Sequence, residues 1–390
     1  MTTPTSFQSL GLSFEYSTPV ALGTVKYLGN LTREVTAYSH IISSFGGFDA
    51  ATVSIADYQL RLDDWIMSGL GRHIVVYGDH NYIIWEGFVN QITYTAGALT
   101  MTVGPLMDIG NRVSVKFSEV DASVSSVTGT SATTIIAEDA DSQDAYGIIE
   151  KILSGGSMYR DEANQVRDVF LADKRLAPSS KNYSFSAQPS TTNPIIKLDC
   201  KGYSSWLEAF IYENYVNGVD AASDKIEDVI DADPNSIVLT KKLDANASLV
   251  VTLEDQGRSG LTVIKGCVNM GDGSDNRWLF GMYENREAVF EVMPSTVEYT
   301  YEISDEIQRI SSNTGGIVKP WDVRAGKWIE TTGILTTSGA PSPGLDLRSD
   351  LRNTFIESVS FTMPNTLSIS GTTVDRAPQA LAKYGIGAMV

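Results

Sequence analysis

The sequence predicts a mainly β chain with a helical insertion, an α+β arrangement. Three observations carry that expectation. Between Phe45 and Val113 three runs rich in β-branched and aromatic residues follow one another, separated by short turn clusters. Alternating runs return after residue 236 and continue to Ser370. Apolar residues at helical spacing are concentrated between residues 140 and 235.

The elements follow in order. Leu12-Ser13-Phe14-Glu15-Tyr16 alternates, and Val20–Tyr27 (behind Pro19) and Arg33–Ile42 read as strands. Phe45–Ile55 is followed by a polar segment, Ala56–Ser68. Then come His73–Tyr77, the turn Gly78-Asp79-His80-Asn81, Tyr82–Val89 continuing through Gln91–Thr95, the turn Ala96-Gly97-Ala98, and Leu99–Val103. This is the pattern of an antiparallel meander with one buried face, stopped by Gly104-Pro105. Residues 118–134 read as a connection with room for one strand. Ala145, Ile148, Ile149, Ile152 and Leu153 form a helical stripe, with Asp141 and Ser142 to cap it and Gly155-Gly156 to stop it. A short helix is expected over Asp161–Leu171, a loop around Ala177–Ser180 and a strand over Ile195–Cys200. Ser205-Trp206-Leu207-Glu208 has the form of a capping box, with Trp206, Leu207, Phe210, Ile211 and Tyr215 on one face and Gly218 as the stop. A second helix spans Ala221–Asp231 on the stripe Ala222, Ile226, Val229, Ile230, and Asp233-Pro234 ends it. Strands are expected at Ser236–Leu239 and Ala247–Leu253, with Glu254–Asn276 as a link. A hairpin joins Trp278–Tyr283 to Ala288–Val292, and further strands are Val297–Ile303, Trp321–Ile329, Phe355–Phe361 and Asn365–Ser370, with Pro364 in the last turn. The expected divisions are 1–118, 119–235 and 236–390.

The net charge of −18 argues against a nucleic-acid grip, which needs a basic footprint, and against binding to anionic membranes. No apolar run is long enough to span a bilayer, and the first residues lack the basic and apolar regions of a signal peptide. Cys200 and Cys267 fit no metal or redox spacing and read as buried thiols, with a structural disulfide between them as the alternative.

A search for catalytic chemistry gives no candidate catalytic, cofactor or metal residue. The three histidines are His40, His73 and His80; the last two flank a turn but lack further ligands, and read as strand residues. Asp63-Asp64, Asp139-Ala140-Asp141, Glu227-Asp228 and Asp231-Ala232-Asp233 are carboxylate pairs that read as solvated faces, although a glycoside hydrolase would need only two across a cleft. Asp272-Gly273-Ser274-Asp275-Asn276 starts like a calcium loop but lacks the closing Glu, so it reads as a turn. Trp85, Trp278, Trp321 and Trp328 read as core residues; exposed ones would instead suit carbohydrate.

Two stretches also carry a resemblance. Tyr82-Ile83-Ile84-Trp85-Glu86-Gly87-Phe88-Val89, followed by an alternating strand ending in Gly104-Pro105, resembles the first barrel of tailed-phage tail hub (baseplate hub) proteins. Trp278-Leu279-Phe280-Gly281-Met282-Tyr283-Glu284-Asn285-Arg286, then Val323-Arg324-Ala325-Gly326-Lys327-Trp328-Ile329 and a closing strand pair, resembles the second. The resemblance implies two tail-tube-like antiparallel β-barrel domains and a homotrimeric, pseudo-six-fold ring in the virion. That non-enzymatic ring, without cofactors, would join the tail tube and distal tail proteins to the tail-tip or spike proteins. The acidic balance would suit a lumen through which DNA slides without sticking. The chain departs from the family's best-known members in having no recognisable spike or lysozyme segment. Two other expectations stand beside the hub: a distal tail protein forming a hexameric ring, and a carbohydrate-binding tail-tip module.

Overall fold

Strands form where β-branched and aromatic residues alternate with polar ones, because that pattern suits a pleated, half-buried surface. The computed structural model describes residues 11–56, 59–121, 126–183, 194–212, 219–251, 257–272, 274, 276–303, 308–332 and 353–372. The N-terminal part contains β1 (Ser13–Ser17), β2 (Tyr27–Asn30), β3 (Val35–Ser43) and β4 (Gly46–Ile55), then α1 (Gln59–Ser68). The expected meander follows as β5 (His73–Tyr77), β6 (Ile83–Ala96) and β7 (Leu99–Val103). Its register is antiparallel, with Val76 opposite Trp85 and Tyr94 opposite Met101.

The middle of the chain holds β8 (Arg112–Asp121), β9 (Ser126–Thr133), β10 (Ala137–Glu138), α2 (Ala140–Tyr146), β11 (Glu150–Met158) and α3 (Arg160–Lys174). These strands make a separate sheet, against which α3 closes a small core of Val115, Phe117 and Ala163. β12 (Ser179–Tyr183) then pairs with β7, and β13 (Ile195–Lys201) lies between β4 and β6, with Leu198 opposite both Val53 and Ile92. Thus a strand from the segment 119–235 is embedded among the N-terminal strands. β14 (Ile211–Tyr212), β15 (Val219–Ala221), α4 (Ala222–Asp231), β16 (Thr240–Leu243), β17 (Leu249–Val251), β18 (Arg258–Ser259) and α5 (Gly260–Met270) follow.

The C-terminal strands are β19 (Trp278–Tyr283), β20 (Glu287–Val292), β21 (Val297–Ile303), β22 (Gln308–Ser312), β23 (Trp328–Thr332), β24 (Asn353–Thr362) and β25 (Thr366–Thr372). Two joints tie them to the first sheet. β24 pairs antiparallel with β3, Val359 opposite Ile42. Gly46 and Gly47 at the start of β4 pair in parallel with Gly281 and Met282 of β19. Gly47 has φ +74, and a Cβ there would lie 2.3 Å from the Met282 carbonyl oxygen, so only glycine lets the strands meet. One apolar core runs from Leu12 to Phe361.

The fold is mainly β, as expected, but the sheets do not close into barrels. Pairing runs β2–β1–β5–β6–β13–β4–β3–β24–β23–β21–β22. β7–β12 branches from β6, β19–β20–β16 from β4 and β25 from β24. Among the described residues no pair joins this path into a ring. The reason is that the β3–β4 hairpin serves both halves, so β13, β19 and β24 take the edges that closure would use.

Local expectations fail where tertiary pairing overrides a local pattern. The helix expected over 145–153 does not form: the helix here, α2, lies earlier, capped by Asp139 accepting from the Ser142 N–H and stopped by Gly147 at φ +82, and the expected stop Gly155-Gly156 lies within β11. Ile152 and Leu153 lie instead on β11, in parallel register with Ser114 and Val115. The Ser205 capping box does not form: Tyr203–Glu208 is a 3₁₀ turn followed by β14. Tyr203, Ser204, Trp206, Leu207 and Phe210 are all buried, so this stretch is covered on more than one face; Tyr215 and Gly218 lie outside the described residues. The link 254–276 contains α5, capped by Ser259, because Gly260, Gly266 and the β-branched Thr262-Val263-Ile264 mask its helical pattern. Residues 118–134 hold two paired strands rather than one, Val20–Leu22 and Pro320–Asp322 are 3₁₀ turns, and the strand after Asp233 begins at Thr240.

Candidate assembly surface

The quoted stretches converge on one junction between the two β regions. Trp85 and Glu86 are buried near the start of β6. The turn after β19 carries Asn285 at φ 58 and Arg286 at φ 56, left-handed conformations uncommon for side-chain-bearing residues. That geometry directs the Asn285 and Arg286 N–H groups to the Glu86 carboxylate. Arg324 reaches across from the loop before β23. Its guanidinium donates to the carbonyls of Ile84 (2.9 Å) and Ile83 (3.0 Å) and to Glu284 (2.6 Å), and lies 5.2 Å from the Phe48 ring centre. The Tyr82 hydroxyl donates to Asp322, and Lys319 pairs with Asp79.

The electrostatics follow from burial. Desolvation raises the Glu86 carboxyl to about 7, against the two backbone N–H bonds and the Arg286 charge. Burial lowers His73 to about 4, helped by Arg286. His73 Nε2 lies 3.7 Å from Glu86, and its Nδ1 lies 2.6 Å from the Tyr203 hydroxyl.

The outward-facing features are strand edges. Among the described residues the outer edge of β25 has no strand partner, whereas that of β22 is covered by residues 316–318, through the Ser311–Ile317 bridge and the bonds from Ser312 N–H to the Gly316 carbonyl and from Val318 N–H to the Ile310 carbonyl. Between them lies an open groove of about 700 Å³, whose apolar lining includes Ile310, Ile317, Ile329, Leu367 and Ile369. Ile317 is 74% exposed. β2 and β12 are further edges, with Tyr27, Leu28 and Tyr183 exposed. Unpaired N–H and C=O groups on such edges are templates for pairing with another strand.

The residues weighed from the sequence are dispersed. His73 is buried at one end of β5, whereas His80 is exposed in the turn beyond the other end. His40 is buried, hydrogen-bonded to Tyr38 and lowered to about 3 by desolvation and the Arg324 charge. Asp64 pairs with Arg72, Asp139 with Arg175, and Glu227 and Asp231 share Lys241. Asp233 is buried and accepts from the Asn235 and Ile237 N–H groups. Asp272 forms the expected turn, accepting from the backbone of Ser274 and Asn276 and from the Trp278 ring. Trp85, Trp278 and Trp321 are buried, and Trp328 is half-buried. Cys200 and Cys267 are buried thiols, as expected. Among the described residues no group of three or more His, Cys, Asp or Glu is placed to hold a metal. The residues missed from the sequence alone are Glu86 and Arg324. Both sit inside the quoted stretches, but nothing local shows that they meet partners so distant in the chain.

No family model and no curated protein matches this sequence. Among solved structures, the chain is similar to the tail protein from Neisseria meningitidis MC58, with 7% identity, coverage of 95% of this chain and 99% of that one, and a TM-score of 0.41. It is similar to the 43 kDa tail protein of prophage MuSo2 from Shewanella oneidensis at 8% identity, with coverage of 94% and 98% and a TM-score of 0.39. A third is the E. coli c3393 protein, described as a type VI secretion component with structural similarity to T4 bacteriophage tail proteins gp27 and gp5. It shows 8% identity, coverage of 88% and 74%, and a TM-score of 0.34. All three scores are too low to establish a shared fold.

Proposed function

We propose that this chain is a structural tail hub protein of a tailed phage. In this reading three copies form a ring that joins the tail tube to the tip and lets DNA pass. The observation that carries it is the convergence of the hub-like stretches on the junction held by Arg324. That junction braces two β regions, both of which keep open strand edges. The edges supply the mechanism: a second copy of the chain packs on the apolar groove between β22 and β25, and a contact of this head-to-tail kind repeats around a closed ring. The distal tail protein, the tube protein and the tip proteins would contact the ring's two faces, placing the chain at the tail tip. The division into 1–118, 119–235 and 236–390 belongs to the same proposal, with the middle segment bracing the outside of the ring. An acidic lumen would repel DNA and keep it moving.

The test is the mass of the purified protein by light scattering, followed by class averages in the electron microscope. A trimer with a central hole and pseudo-six-fold outline is expected. A hexameric ring would replace the hub with the distal-tail reading, and a cryo-electron map with a neutral or basic lumen would remove the DNA-passage element.

A further inference from the structure

The groove between β22 and β25 is the concave face of one curled sheet. Its strands run in the order β22–β21–β23–β24–β25, and each lines the groove, through Ile310, Tyr301, Ile329, Thr354, and Leu367 with Ile369. The β22 wall is closed by residues 316–318. The β25 wall presents seven residues of backbone with no strand partner among the described residues. An open edge beside an apolar groove is an arrangement that takes an added strand: the edge supplies main-chain hydrogen bonds, and the groove takes alternate side chains. An occupant therefore needs about seven extended residues with apolar side chains at every second position.

Residues 373–390 follow β25 directly and lie outside the described residues. Their sequence meets that need. Ala380, Ala382, Tyr384, Ile386, Ala388 and Val390 alternate, behind Pro378, which suits the position before a strand. From Arg376 onward the segment has two cations, Arg376 and Lys383, and no acidic side chain, in a chain of net charge −18. Electrostatics thus draws this segment toward the acidic body of another copy, whereas the two bodies repel.

We propose that residues 379–390 of one copy add as a strand to the open edge of β25 in the next copy and fill its groove. This rests on the reading that a second copy covers the groove, and it names the segment of that copy that does so. The contact is head-to-tail, so its repetition closes a ring.

Thiol pairing between co-expressed chains tests this. One chain carries Ile317→Cys in the groove and the other Tyr384→Cys in the segment. On oxidation a disulfide between the two different chains is expected, read by mass spectrometry. At micromolar protein it should form on the order of a hundredfold faster than with Met67→Cys, an exposed control on α1, because a seated segment holds its thiol at roughly millimolar effective concentration. Removing residues 373–390 should abolish the oligomer in light scattering and leave the unfolding free energy in urea unchanged. A rate equal to that of the control would overturn the proposal. So would a disulfide closed within one monomeric chain that carries both Ile317→Cys and Tyr384→Cys, since the segment would then fill its own groove. If the truncated chain still assembles while Ile317→Asp does not, another part of the second copy fills the groove; the strand exchange is overturned and the hub reading stands. If the full chain forms no oligomer and no disulfide between chains, the ring reading fails and the exchange fails with it.

Discussion

Arg324 illustrates how much one side chain can hold when its partners come from distant parts of the chain. Its guanidinium satisfies two β6 carbonyls and Glu284 at once, and is 18% exposed. Truncation leaves those acceptors in a largely dry junction, so Arg324→Ala should cost about 3 kcal/mol in urea unfolding. Arg324→Lys should recover only part of this, because an ammonium cannot reproduce the planar fork. His40 gives a second residue-scale test. It is neutral when folded, with its value near 3, but binds a proton at 6.5 when unfolded. Its contribution is therefore complete above pH 6.5 and is lost as the pH falls toward 3. His40→Gln removes that loss. The stability difference between wild type and variant, followed by urea titration, should shift by about 2 kcal/mol in the variant's favour between pH 7 and pH 5.

At the scale of elements, the joint between β4 and β19 depends on Gly47. Its left-handed φ and the Met282 backbone leave no room for a methyl group, so Gly47→Ala should cost roughly 3 kcal/mol and loosen the C-terminal strands first. Proteolysis would show cleavage in β19–β20 before β5–β6. The sequence made β5, β6 and β7 legible because their alternation and their turns agree. It made α4 legible through Ala222, Ile226, Val229 and Ile230. β11 was misread because Ile149, Ile152 and Leu153 satisfy a helical period, whereas the partner that decides the matter, β8, lies far back in the chain. α5 was hidden by glycines and β-branched residues that it tolerates because Val263, Ile264, Cys267 and Val268 are buried. The junction was legible as separate stretches but not as a site, since Ile84 and Arg324 are joined only by the fold.

At the scale of the molecule, the open path of strands suits the proposed ring better than a self-contained barrel would. A closed barrel hides its edges within one chain, whereas here β22 and β25 flank an apolar groove that a second copy can cover. Ile317 is the probe of choice, being 74% exposed and at the groove's lining, so replacing it should not disturb the core. Ile317→Asp is expected to leave the unfolding free energy in urea within about 0.5 kcal/mol of wild type while abolishing the proposed oligomer in light scattering. The net charge of −18 adds an opposing term, since copies of the chain would repel one another in the proposed ring. Raising the salt from low to physiological strength shortens the Debye length to about 8 Å and should strengthen assembly of the wild type without restoring it in Ile317→Asp. If the variant assembles as wild type does, the groove is not the contact, and the proposed ring would have to use another edge, β2 or β12. Weaker assembly in added salt would mean that ion pairs, rather than apolar packing, hold the copies together.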